Sequence, residues 1–152
     1  MLTINEYRKV ESLEEAYELN QKKNNKIIAG GVWMKIGDRR IATAIDLSGL
    51  GLDQITETDT EFVIGAMTTL REIEKHAGLA AYTDGAIRES VRHIVGVQFR
   101  NCATVGGSIF GRFGFSDVLT VFLAMDTQVE LYHAGMISLK EFIDMPYDND
   151  IL

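Results

Sequence analysis

Arg100-Asn101-Cys102-Ala103-Thr104-Val105-Gly106-Gly107-Ser108-Ile109 is the stretch on which the fold turns, and Ile27-Ile28-Ala29-Gly30-Gly31 is its shorter counterpart nearer the N-terminus. Each sets a glycine pair in apolar surroundings. A glycine pair lets the backbone take positive φ and lets another molecule come close to the main chain. Successive free N–H groups in such a turn make a concave anion site that needs no lysine. Neither pair fits G-x-x-x-x-G-K-S/T, and neither fits G-x-G-x-x-G after a strand, so P-loop and Rossmann phosphate sites are disfavoured. A tight turn with no ligand is the commoner use of one such pair. Two pairs in one chain lower the weight of that reading only modestly.

The rest of the chain supplies a mixed α and β setting for these loops. A short extended entry, marked by the alternation of Leu2 and Ile4 and not continued cleanly over Asn5–Val10, precedes Ser12-Leu13-Glu14-Glu15, a capping box that opens an amphipathic helix. Ile27-Ile28-Ala29 reads as a buried strand ending at the first glycine pair, Val32–Ile36 as a helical turn, and Ala42–Leu47 as a second strand beside the first. Strands separated by helix and turn in this order suit a small sheet with parallel pairs. From about residue 54 the character changes. Glu61–Ala66 reads as a strand, Thr69-Leu70-Arg71-Glu72 as a capping box for a helix to about Ala77, and Asp84–His93 as another helix. Residues 95–114 hold five glycines with no periodicity and read as ordered loop. Ser116-Asp117 then caps an apolar helix Val118–Met125, Thr127–Tyr132 alternates as a strand, and Ser138-Leu139-Lys140-Glu141 opens a last short helix.

Composition excludes several classes of function. With 152 residues, the chain is about one domain in size. At 46% hydrophobic and 24% charged residues, it can build a core without disulfides or a structural metal. A net charge of -7 argues against nucleic acid and anionic membranes, which both call for a basic footprint. No apolar run is long enough for a membrane span, and Met1–Glu15 lacks the marks of a secretory signal. A lone Cys102 rules out an internal disulfide and is too few for a zinc or iron–sulfur site. His76, His93 and His133 share no metal-ligand spacing. No G-x-S-x-G elbow is present, and the paired carboxylates Glu14-Glu15 and Glu72 with Glu74 fall on helix surfaces. No catalytic residue and no metal ligand are therefore assigned.

Taken together, Ile27–Gly31 and Arg100–Ile109 resemble the FAD-binding domain of the molybdenum hydroxylase flavoproteins, the family of the medium subunits of carbon monoxide and xanthine dehydrogenases. The family pattern is similar to A-G-G-S/T early and R-N-x-A-T-I/V-G-G-N/S later, followed by a Ser-Asp pair and an apolar helix. Here Ser116-Asp117 and Val118–Asp126 stand in those places. Ile45-Asp46-Leu47-Ser48, Ile64–Leu70 and Ile137–Phe142 add matches in the right order. The likeness runs over essentially the whole chain.

The resemblance implies a two-lobed α+β fold of the PCMH type, with a small parallel-paired sheet in residues 1–53 and a second mixed lobe in 54–152. FAD would lie between the lobes. Its pyrophosphate would be held by backbone N–H groups of a first loop, Ile27, Ile28, Ala29, Gly30, Gly31, Val32, Trp33 and Met34, and of a second, Thr104, Val105, Gly106, Gly107 and Ser108. Thr104 would add a hydroxyl donor. Asp117 would contact the flavin or else cap the following helix, and Leu152 with Ile151 would stand near the isoalloxazine. Three departures accompany the likeness. Val10 stands where the family has a proline, Val32 replaces a small hydroxyl residue, and the family's C-terminal domain is absent after Leu152. Trp33 could cover the cofactor or pack in the core. The implied activity is that of a flavin-dependent oxidoreductase component, not active alone. It would relay electrons from iron–sulfur centres of a partner subunit through FAD to NAD+ or another acceptor, beside a molybdopterin subunit, in the cytoplasm. The alternatives are a non-catalytic flavin-fold assembly module and, more weakly, a self-contained flavin oxidase.

Overall fold

The parallel pairing expected of the N-terminal strands is present in the computed structural model, which describes residues 1–152. Strands β1 (Thr3–Lys9), β2 (Lys26–Ile28) and β3 (Arg40–Asp46) form a sheet in the order β1-β3-β2, with both pairs parallel. Ile4 faces Ile41 and Ile27 faces Ile45 across the ladders. Between β1 and β2 runs α1 (Leu13–Asn20), which starts where the Ser12 hydroxyl accepts a hydrogen bond from the Glu15 N–H at 3.0 Å. Ala16 on this helix meets Val10, Ile45 and Leu47 in a first hydrophobic cluster. The sequence pattern foretold only a short extended segment at the start, yet β1 is seven residues long and exposed throughout. Its length comes from the ladder with β3, which supplies pairing that local alternation does not signal.

The second part of the chain alternates hairpins with short helices around a larger cluster. A hairpin of β4 (Ile55–Glu57) and β5 (Phe62–Ile64) leads to α2 (Leu70–Lys75), α3 (Ala77–Tyr82), α4 (Ala86–Arg92), α5 (Val97–Arg100), α6 (Val105–Phe110) and α7 (Asp117–Leu123). A second hairpin, β6 (Gln128–Leu131) with β7 (Gly135–Ser138), precedes α8 (Leu139–Asp144). Leu70, Ile73, Ile87, Val91, Val118 and Phe142 are at the centre of the cluster, each at most 5% exposed. At Thr69 the capping box is complete, with the hydroxyl accepting from the Glu72 N–H and the Glu72 carboxylate accepting from the Thr69 N–H. No helix is long and apolar enough to cross a membrane.

Two expectations fail here for identifiable reasons. Residues 95–114 are not loop, because they contain α5 and α6. Two glycines lower the helix propensity of α6 by about 1 kcal/mol each, so no periodic signal announces it. Its stability comes from packing, since Val105 and Ile109, one turn apart, are both buried in the larger cluster. The helix expected from Thr69 to Ala77 ends at Lys75, and α3 follows directly. His76 sits at the junction as the cap of α3, its Nδ1 accepting from the Leu79 N–H at 3.2 Å.

The last residues connect the two clusters. Ile151 is buried in the first and Leu152 packs against the second. Backbone bonds hold this segment in place: the Tyr132 N–H donates to the Ile151 carbonyl at 2.8 Å, and the Asn20 side chain donates to the Asn149 carbonyl at 2.7 Å. Asp150, 7% exposed, accepts from the His133 and Ala134 N–H groups, both at 2.9 Å. At the centre of this bridge is a buried aliphatic side chain, Ile151, 3% exposed. Ile151→Ala is expected to lower unfolding free energy by about 2–4 kcal/mol in urea denaturation, with both parts of the chain losing stability together.

Candidate functional site

The first glycine loop leaves β2 and runs from Ala29 to a single 3-10 turn, Met34–Ile36. The backbone N–H groups of Gly30, Gly31, Val32, Trp33 and Met34 have no acceptor within the chain. Their carbonyls on the turn are used, since Gly31 and Trp33 accept from the N–H groups of Lys35 and Ile36. Gly31 has φ +65, the left-handed conformation that turns consecutive N–H groups toward one side. Five consecutive unpaired donors on a half-buried loop have the character of an anion site. Buried N–H groups are otherwise almost always paired.

Gly30 is required for a different reason. A Cβ there would collide with the Cys102 carbonyl oxygen, so the first loop lies directly on the chain that precedes the second. Ala29 also approaches Gly107, within 3.9 Å of where a Cβ on that residue would stand. The two loops named in the sequence are therefore brought together. Cys102 itself is exposed, with its carbonyl rather than its thiol at the contact.

The second loop differs from the first. Four of its five N–H groups, all but that of Thr104, already have acceptors: Val105 donates to the Thr68 carbonyl at 2.9 Å, Gly106 to the Ala66 carbonyl at 2.9 Å, Gly107 to the Thr104 hydroxyl at 3.1 Å and Ser108 to the Thr104 carbonyl at 3.1 Å. The Thr104 hydroxyl thus caps α6, and the Ser108 hydroxyl donates back to the Thr104 carbonyl at 2.8 Å. Gly106 is glycine because a Cβ would stand 2.6 Å from the Ala66 carbonyl oxygen. This glycine pair serves the close seating of α6 on the β5–α2 turn.

The remaining candidate residues occupy distinct places. Ile27 and Ile28 are in the ladder with β3, and Ile27 packs on the first cluster. The Val32 side chain packs against the larger cluster, so only its backbone faces the donor run. Trp33 is 48% exposed and does not enter the core. Asp117 is exposed in the first turn of α7, where Ser116, not Asp117, is the cap, accepting from the Leu119 N–H at 3.1 Å. Leu152 packs against the larger cluster. One residue not singled out in the sequence joins the site. Lys35 reaches over Gly31, its Cε 4.0 Å from where a Cβ on that glycine would stand. Its position on the turn, four residues after Gly31 and bonded to it, is the only local sign.

Two charged side chains hold the surroundings in place. Arg100, at the head of the R-N-C-A-T motif, is 5% exposed. Its Nε donates to Glu74 at 2.8 Å and its Nη1 to the Ile94 carbonyl at 3.2 Å. Arg71 pairs with the same carboxylate at 2.9 Å. Burial acts to raise the Glu74 pKa, but hydrogen bonds and charge from Arg100 and Arg71 outweigh it and hold the carboxyl below its ordinary value. Arg112, just after α6, has φ +48, a conformation costing a non-glycine residue of order 1–3 kcal/mol. Its guanidinium lies 4.1 Å from the ring centroid of Phe142 and 4.6 Å from that of Tyr147, and it donates to the Met145 carbonyl.

Comparison with known proteins gives this site a context. A family model described as the FAD binding domain in molybdopterin dehydrogenase matches residues 3–152. The uncharacterized protein YgfM of Escherichia coli strain K12 is 28% identical over 153 residues, covering 95% of this chain and 56% of YgfM. Among solved structures, a Cu,Mo-CO dehydrogenase chain superposes with a TM-score of 0.87 at 24% identity, over 100% of this chain and 58% of that one. A chain of quinoline 2-oxidoreductase from Pseudomonas putida 86 gives 0.85 at 19% identity, over 97% and 56%. A carbon monoxide dehydrogenase chain from Hydrogenophaga pseudoflava gives 0.86 at 23% identity, over 97% and 56%. The chain thus spans little more than half the length of each.

Two outcomes follow from the geometry. Gly30→Ala must part the two loops and is expected to cost about 3 kcal/mol by overpacking, read as a drop in the urea midpoint. Arg100→Met leaves the Glu74 carboxylate with Arg71 alone and is expected to cost about 3 kcal/mol at neutral pH. Because the folded Glu74 pKa is depressed, its contribution is complete above the ordinary glutamate value of about 4.3. It disappears as pH falls through the lower folded value. A pH series of denaturation curves should therefore show a shallower loss of stability in Arg100→Met than in the wild type as pH falls from about 4.3 toward the lower folded value.

Proposed function

The chain belongs to the family of FAD-binding domains in molybdopterin dehydrogenases, and from that premise we propose that it is the flavin-holding part of a molybdenum hydroxylase-like oxidoreductase. The observation that carries the proposal is the run of five unpaired N–H groups from Gly30 to Met34. It fits a pyrophosphate in a chain of net charge -7, because oriented peptide dipoles attract an anion regardless of overall charge.

Each residue's part follows from its place. The N–H groups of Gly30 to Met34 bind phosphate oxygens, and the Lys35 ammonium adds a counter-charge from above Gly31. Gly107, exposed beside Ala29, leaves the second loop open to the ligand, while Thr104 and Ser108 hold that loop rigid. Asp117, exposed at the start of α7, offers a carboxylate acceptor to the flavin half of the cofactor. No side chain is required as acid or base. The chemistry FAD supplies when bound is electron transfer, between iron–sulfur centres on a partner subunit and NAD+ or another acceptor. The protein's share is to bind, orient and shield. A molybdopterin subunit completes the proposed assembly, a reading supported by the match to the FAD binding domain of molybdopterin dehydrogenases.

The test is direct. Purified protein mixed with FAD and desalted should carry visible flavin absorbance in a fixed ratio. A folded protein, judged by circular dichroism, that stays colourless would overturn the proposal. Lys35→Ala should weaken FAD binding about threefold to fivefold, in line with one exposed charge pair. The difference should shrink at high ionic strength as screening removes it.

A further inference from the structure

Three exposed aromatic rings meet at the edge of the donor loop. Phe113 and Phe115 stack on each other with centroids 5.3 Å apart and planes 15° from parallel. Trp33 stands edge-on to both, at 5.9 Å from Phe113 and 5.8 Å from Phe115. All three remain open to solvent, at 48% for Trp33, 39% for Phe113 and 68% for Phe115. Large rings left this exposed as a group commonly mark a binding surface. Here their origin is informative, because Trp33 carries one of the five unpaired N–H groups, whereas Phe113 and Phe115 lie between α6 and Asp117.

The exposure is built in rather than incidental. Arg112 takes its left-handed conformation and buries its guanidinium against Phe142 and Tyr147. The Tyr147 hydroxyl donates to the Gly111 carbonyl at 2.8 Å. Residues 111 and 112 are thus tied inward to the C-terminal segment, and the chain that follows carries its two phenylalanines outward.

We propose that Trp33, Phe113 and Phe115 form a stacking platform for one ring system of the dinucleotide whose pyrophosphate is held by Gly30 to Met34. This rests on the FAD reading above and adds to it a ring-recognising surface. The occupant is argued from continuity, since a phosphate bound at the Trp33 N–H leaves the attached nucleoside within reach of the Trp33 ring. Stacking on aromatic side chains tolerates either adenine or isoalloxazine, as both present a π-face. Which of the two lies there is decided by the test.

The test uses the 152-residue chain and three probes, with Trp33 as its only tryptophan. ADP carries the pyrophosphate and adenine, FMN carries isoalloxazine with one phosphate, and inorganic pyrophosphate carries no ring. The ring-bearing probe that uses the platform should bind about tenfold more weakly to the Trp33→Leu/Phe115→Ala double variant, from loss of one stacked ring. Pyrophosphate should bind both proteins equally. An ADP effect, with a change in Trp33 emission, assigns adenine; an FMN effect, with recovery of flavin emission in the variant, assigns isoalloxazine. Both residues are exposed, so the variant should keep the wild-type circular dichroism and thermal midpoint. If FAD binds wild type and variant within a factor of two, the platform is overturned while the FAD reading stands. If the folded wild type binds neither FAD nor any of the three probes, the FAD reading itself fails and the platform falls with it.

Discussion

Everything at the candidate site depends on one close approach, that of the first glycine loop to the chain just before the second. Gly30 lies so near the Cys102 carbonyl that no side chain fits between them. A few residues on, the same stretch is locked to the β5–α2 turn. Leu70 donates to the Ala103 carbonyl, and Val105 and Gly106 donate to the Thr68 and Ala66 carbonyls. Backbone thus meets backbone on both sides of residues 102–106. Such contacts are short and directional, with little room to slide. They set the position of the donor loop relative to α6 and Asp117 more tightly than side-chain packing could.

The two glycine pairs, alike in sequence, divide the work. In the first pair, Gly30 permits the contact and Gly31 turns the N–H groups outward. In the second, Gly106 permits α6 to press on Ala66, and the N–H groups are consumed in holding the helix. An acidic protein can in this way keep one concentrated patch of partial positive charge, with Lys35 beside it. The Arg100–Glu74–Arg71 cluster acts at one remove, fixing the start of the motif to α2. A buried cluster of this kind is weak support for stability by itself. Its evident use is to fix the start of the segment on which Gly30 rests.

Much of this was legible in the linear chain. The capping serines and threonine Ser12, Thr69, Ser116 and Ser138 all accept the expected bonds, because a cap is a contact between residues three apart. The parallel pairing of β2 with β3 followed from strand order. The helices at 97–100 and 105–110 were not legible, because glycine-rich segments carry no periodic signal and these are held by distant partners. Nor was the split at His76, where a histidine serves as a cap. The aromatic cluster escaped notice because Trp33 and Phe115 are far apart in sequence and neither sits in a repeating pattern.

The sequence by itself determined the family, the fold class and the two glycine strings that the fold brings together, since these rest on local strings and their order. Only the tertiary structure decided which loop keeps its donors free. Free donors are a matter of what else is within hydrogen-bonding distance: Ala66 and Thr68 reach the second loop, while no acceptor in the chain reaches the first. It also decided that Trp33 faces solvent with Phe113 and Phe115, because the anchoring of Arg112 against Phe142 and Tyr147 is a long-range contact that no local pattern encodes.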